Sequence, residues 1–121
     1  MKTLTAEIAL VGGAGAAVGS ATFTEGPVRL RGVQVKWTGQ AGATPTLAIT
    51  ATLGLAKTVF TLGPGNADFP LATVAEEIVD LLGAGTGVYD LPLLDGTIEV
   101  AVVDGDAADP GCTVWLVVDG R

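Results

Sequence analysis

The chain has 121 residues, a 49% hydrophobic fraction drawn mostly from Val, Leu and Ala, only 5% aromatics, and a net charge of −7. That length makes one domain, 1–121, and the acidic excess argues against nucleic-acid binding, where phosphate contacts require cationic groups. A single cysteine rules out an internal disulfide, the absence of histidine rules out histidine catalysis, and no run approaches the ~20 apolar residues of a membrane span.

The charge is unevenly distributed. Residues 1–57 hold five basic and two acidic groups (+3), whereas residues 58–121 hold one basic and eleven acidic groups (−10). Between Thr58 and Gly120 there is no Lys or Arg. A solvated acidic surface accounts for this pattern. So does a polar molecule whose basic and acidic edges dock head to tail.

Residues 3–10 alternate, with Leu4, Ala6, Ile8 and Leu10 on one face, as in a half-buried strand. Glu7 interrupts the small-residue stretch behind Lys2, which therefore reads as a strand rather than a secretory signal. Residues 11–20 are Gly/Ala-rich and predict a loop or a loosely packed edge. Thr22 to Glu25 reads as a short strand. In residues 27–37 the apolar parity switches from even (Val28, Leu30) to odd (Val33, Val35, Trp37) at Arg31-Gly32. One inserted residue next to a glycine predicts a β-bulge there, with Trp37 in the core.

Residues 39–43 form a turn. Residues 46–53 alternate again, with Leu47, Ile49, Ala51 and Leu53 inward. A short strand over 57–62 ends at the turn Gly63-Pro-Gly-Asn66, and Phe69-Pro70 reads as an edge segment because proline cannot donate to a ladder. Residues 73–82 predict the one short helix. Thr73 and Glu76 match a capping box, Val74, Ile78, Leu81 and Leu82 share a helical stripe, and Gly83 supplies a cap. A strand over 88–94 and a tight turn at Asp95-Gly96 lead into the final hairpin, 97–103 and 112–118. Its second strand is apolar on both faces: Cys112, Val114, Leu116 and Val118 on one, Trp115 and Val117 on the other. The expected fold is all-β, an antiparallel two-sheet sandwich of jelly-roll or Greek-key type with one short helix.

Chemistry is sparse. Gly12-Gly-Ala-Gly-Ala-Ala-Val-Gly19 superficially matches a dinucleotide loop, but turns and strands follow where a helix is needed. Asp104, Asp106 and Asp109 crowd one loop and make a weak Ca²⁺ candidate. Ala108, however, occupies the third ligand position of an EF-hand pattern, and a solvated turn is the simpler reading. Cys112 faces inward as a small hydrophobe, the single Ser20 lies in no nucleophile elbow, and the carboxylates fall in loops without surrounding aromatics. The expectation is a non-enzyme without cofactors. Trp115 is the leading interface anchor, with cover by a neighbouring loop or by the helix as the alternative for its ring, and Val117, Arg29, Arg31 and Lys36 are further interface candidates.

Arg29-Leu-Arg-Gly-Val-Gln-Val-Lys-Trp37, the Thr-rich strand 44–53, Tyr89-Asp-Leu-Pro-Leu-Leu-Asp-Gly-Thr-Ile-Glu-Val-Ala-Val-Val103 and the closing strand 112–119 together make a layout that resembles a known family. It is similar to the small jelly-roll head-decoration proteins of tailed bacteriophages. The likeness spans residues 27–119 and is one of strands and turns rather than an invariant signature. The helical stretch 73–82 and the N-terminal Gly/Ala segment depart from it. The resemblance implies a non-enzymatic virion protein on the capsid surface, made in the host cytoplasm. Its implied partners are the major capsid protein and copies of itself, often as a trimer, and it implies no catalytic residues. The alternatives are another virion component, such as a head-fibre base or tail protein, or a carbohydrate- or ligand-binding β-sandwich module.

Overall fold

A computed structural model describes residues 2–23, 27–40, 42–52, 55–79, 81–94 and 97–120, with the backbone alone for Lys2 and residues 76–79. The strands are β1 Lys2–Gly13, β2 Ala16–Thr22, β3 Val28–Trp37, β4 Thr46–Ala51, β5 Lys57–Leu62, β6 Phe69–Thr73, β7 Glu76–Val79, β8 Gly85–Asp90, β9 Leu93–Leu94, β10 Thr97–Val103 and β11 Cys112–Gly120. Among the described residues there is no helix.

All pairings are antiparallel. Nine described strands make one sheet: eight follow the hydrogen-bonded path β5-β4-β10-β2-β1-β11-β3-β6, and β9 joins it off that path by pairing with β3. The long β1 joins the two halves, pairing with β11 through residues 2–10 and with β2 through Val11–Gly13. One continuous sheet therefore curls into a half-barrel. Its edge strands β5 and β6 face each other through the rings of Phe60 and Phe69, whose centroids are 5.5 Å apart and inclined at 57°. Inside lie Leu30, Val33, Val35, Leu47, Ile49, Ile98, Val100, Val114, Leu116 and Val118, every one essentially inaccessible to water. Each comes from the apolar face of an alternating strand, so burying the core follows directly from the period of two.

The parity break in β3 is a bulge. Val117 pairs with Gly32 and Val118 with Leu30, leaving Arg31 as the extra residue. Val28 and Leu30 before it, and Val33, Val35 and Trp37 after it, are all buried.

Two sequence expectations are corrected. The Gly/Ala segment is a hairpin, in which the end of β1 and the whole of β2 flank a two-residue turn at Ala14 (φ 56°) and Gly15 (φ 83°). Positive φ at both central residues is the geometry that matches strand twist in a tight hairpin. It is held in place because Ala14 N–H donates to the Ala107 carbonyl (3.0 Å) and the Gly15 carbonyl accepts from Gly105 N–H (2.9 Å). The helix expected over 73–82 is absent. Thr73 ends β6, Val74 is buried in the core, and Glu76–Val79 pairs as β7 with β8. An isolated helix of this length is marginal without a packing partner. Leu81 and Leu82, which would have supplied the stripe, are fully exposed. The Asp95-Gly96 turn, Leu53 and the Thr24-Glu25 part of the expected short strand lie outside the described residues.

β6 and β9 are two halves of one edge strand. Reading β3 backwards, its partners run Phe69, Ala72 and Thr73, then Leu93 and Leu94, and Leu30 N–H continues the ladder onto the Pro92 carbonyl (2.8 Å). Residues 74–92 are thus inserted into that strand beside the Arg31 bulge. Within the insertion, β7 and β8 pair only with each other, and every residue from Leu81 to Asp90 is exposed. They form an arm.

Candidate interaction surface

The half of the sheet made by β1, β11 and β3 has its outer face open to solvent. Across it run the ladder rows Glu7–Trp115–Gln34, Thr5–Val117–Gly32 and Ala9–Thr113–Lys36. Trp115 and Val117 are half-buried here and are not part of the core. Their inward neighbours Val114, Leu116 and Val118 fill the interior, so alternation sends the two apolar side chains outward. The exposed Arg29, Arg31 and Lys36 of β3 share this outer face. All five residues singled out as interface candidates therefore converge on one surface.

Two of the three basic residues are anchored at one end. Arg31 Nη1 lies 3.2 Å from the Asp119 carboxylate, and Arg29 Nη1 lies 3.4 Å from Asp90 and donates to the Leu91 carbonyl at 3.0 Å. These ion pairs are solvent-exposed on the arginine side and contribute at most about 1 kcal/mol each. Their effect is to orient the root of the arm and the strand end.

Between β3, β6 and β11 the surface dips into a groove of about 260 Å³ lined by Arg31, Gly32, Leu71, Ala72, Thr73 and Val117. Gly32 is the reason it exists. A Cβ at that position would lie 3.3 Å from both the Ala72 carbonyl oxygen and Leu71 Cδ1, filling the floor. Sequence reasoning located the bulge but missed the groove, because Leu71 and Ala72 approach from a strand distant along the chain.

A second outward patch also escaped notice. Val11 pairs with Val18, Val18 with Ala101 and Ala101 with Ala48, while Val103 stands beside Thr46. Val11 (74%), Val18 (57%) and Val103 (51%) are substantially exposed. Once residues 11–20 are read as a loop, this row cannot be assembled.

The chemistry-bearing groups elsewhere serve the structure. Gln40 is a buried polar side chain, with Nε2 sharing its donors among the carbonyls of Thr38, Asp109 and Gly111 (2.9–3.0 Å) and Oε1 accepting from Asp106 N–H (2.9 Å). Its own carbonyl accepts from Asn66 Nδ2 (2.9 Å). This hub was missed as well, since nothing about a lone Gln in a Gly-rich turn marks it as buried. The three aspartates considered for Ca²⁺ lie beside it. Asp106 Oδ2 accepts from the N–H groups of Ala108 and Asp109, and Asp109 Oδ1 accepts from Gly111 N–H. Among the described residues no three acidic, Cys or His side chains gather around one point that could hold a metal. Burial pushes the Cys112 thiol up from 9.0 to about 12, so it carries no thiolate at neutral pH. No helix among the described residues is long and apolar enough to cross a membrane.

No protein-family model matches the chain, and no curated protein matches it.

Proposed function

We propose that this protein is a non-enzymatic virion structural protein that decorates or cements a phage head through protein–protein contacts. Its partners are the major capsid protein and further copies of itself, and its relationship is to the two-sheet jelly-roll decoration proteins. The observation that carries this reading is the convergence of Trp115, Val117, Arg29, Arg31 and Lys36 on one open sheet face. An aromatic anchor ringed by polar and charged side chains is the composition of a docking patch. In keeping with a contact role, the buried polar groups are spent on bracing loops, which yields a rigid scaffold.

Co-sedimentation with purified phage capsids tests it. The wild type should pellet with capsids, and Trp115→Ala should lower its occupancy while the fold is retained. Wild-type protein left in the supernatant at every concentration would overturn the proposal. A second reading rests on the same tryptophan. A half-exposed indole between Glu7 and Gln34 could also stack on a sugar, and glycan-array binding that disappears in Trp115→Ala, without capsid binding, would favour a carbohydrate-binding module.

A further inference from the structure

We propose that the β7–β8 arm of one copy docks on the outer face of a second copy, seating its tip in the groove between Gly32, Leu71 and Val117. The inference rests on the reading that the protein works by contact, but not on a capsid being the partner.

Three observations support it. The tip presents Leu81, which is fully exposed, beside the exposed Leu82, and the arm's shank adds Val88 (55%) and Tyr89 (63%). Leaving so much apolar surface in water is unfavourable, and clustering at the end of a protruding hairpin is unlike the single scattered residues of an ordinary surface. The groove is concave, floored by Val117, Ala72 and the bare backbone of Gly32, and large enough for a side chain of leucine size.

Charge is complementary. Residues 76–90 include Glu76, Glu77, Asp80 and Asp90 and no basic residue. Arg31, which lines the groove, keeps its side chain 56% exposed beside its Asp119 partner, and the exposed Lys36 lies further along the same strand. An acidic arm laid across a basic strand steers association and sets its register.

Geometry selects a second copy rather than the arm's own groove. The groove adjoins Thr73, at the root of the arm. A hairpin of this length carries its tip about 15–20 Å away at roughly 3.3 Å per residue. The contact is therefore head to tail, with a different surface on each partner, and its repetition closes into a ring or extends into a chain. One hairpin tip makes a small interface, so association rises with local concentration, as on any surface that holds copies side by side.

Sedimentation velocity over a concentration series tests the proposal. The wild type should self-associate. Leu81→Asp on the tip and Leu71→Glu on the groove should each weaken self-association by about tenfold or more, the usual consequence of losing an apolar anchor. Mixing the two variants is the decisive arm. Leu81→Asp retains an intact groove and Leu71→Glu an intact arm, so together they should form a one-to-one complex that grows no further. Replacing residues 76–89 with a short Gly-Ser linker gives a second arm-null protein that keeps its groove, so it should fail to associate with itself yet pair one-to-one with Leu71→Glu. A wild type that stays monomeric throughout, variants that associate like the wild type, or a mixture that fails to pair would each overturn the inference. Capsid co-sedimentation separates the two claims. Capsid binding without self-association removes this inference alone, and self-association without capsid binding removes only the virion reading.

Discussion

The two ends of the curled sheet hold their loops in opposite ways. At the end where β3 finishes and β11 begins, the connections 14–15, 38–45, 63–68 and 104–111 come together. Gln40, the Ala14–Ala107 and Gly15–Gly105 backbone bonds, Asn66 and Asp106 tie them into one cap. Trp37 completes it, donating from Nε1 to the Ala67 carbonyl (3.0 Å) and from its backbone N–H to Asp68 Oδ1 (2.9 Å). At the opposite end the chain leaves the edge strand after Thr73, makes a two-stranded arm that pairs only within itself among the described strands, and returns at Leu93. At the capped end a buried amide ties several loops together, whereas at the other the ion pair Arg29–Asp90 and the Leu91 carbonyl hold only the root of the arm. The lesson is one of division of labour. The cap's donors and acceptors brace one another, whereas the arm's exposed leucines and the open face with Trp115 present apolar surface outward.

Removing the indole should break the capped end most severely. Trp37→Ala deletes a buried ring and its Nε1 hydrogen bond to the Ala67 carbonyl, while leaving the backbone N–H bond to Asp68, and should cost about 3–5 kcal/mol in denaturant unfolding. The alkaline limb of stability tests the same end through Cys112. The folded thiol keeps its proton up to about 12, whereas an unfolded thiol loses it above 9.0. The native state therefore binds more protons across that window, and stability should fall by about 1.4 kcal/mol per pH unit from this group as pH rises through it. Cys112→Ala should flatten that slope, as read from unfolding midpoints between pH 8 and 10.5.

Gln40→Ala removes the acceptor for Asp106 N–H and the donors for three carbonyls, and should cost about 1–3 kcal/mol. Its amide signature sharpens the comparison. Exchange of the Ala14, Gly105 and Asp106 N–H groups should accelerate in the variant, while that of β8 should already be fast in the wild type, because a two-stranded ribbon is marginal on its own. The smallest effect belongs to the arm. Replacing residues 76–89 with a flexible linker should change stability by no more than about 0.5 kcal/mol. A larger loss would mean that the arm braces the sheet and that the contrast between the two ends is wrong.

Strand positions were legible wherever one face is buried and the other is not. Residues 3–10, 46–51 and 97–103 announce themselves by alternation, and the parity switch at Arg31-Gly32 disclosed the bulge, because one extra residue must move every later side chain to the other face. The arm was misread for an instructive reason. Thr73, Glu76 and the apolar spacing of Val74, Ile78, Leu81 and Leu82 satisfy local helix rules. Those rules assume a surface for the stripe to pack on, and Val74 is instead drawn into the core at the end of β6. The Gly/Ala hairpin was misread because small residues carry no periodic signal, although the Ala14-Gly15 turn is stapled from residue 105 and residue 107.

The sequence by itself determined the all-β class, the buried face of each alternating strand, that Trp115 and Val117 lie opposite the Val114 and Leu116 face, and the lack of histidine chemistry. These are properties of residue type and of a period of two, which need no knowledge of distant neighbours. Only the tertiary structure decided that the strands form one curled sheet, that Gln40 caps one end, and that β6 and β9 share an edge interrupted by an arm. It also decided that Leu71 and Val117 meet over Gly32 to make a groove. Each of these depends on contacts between segments far apart in the chain, where the energy of pairing, and not any local preference, selects the partner.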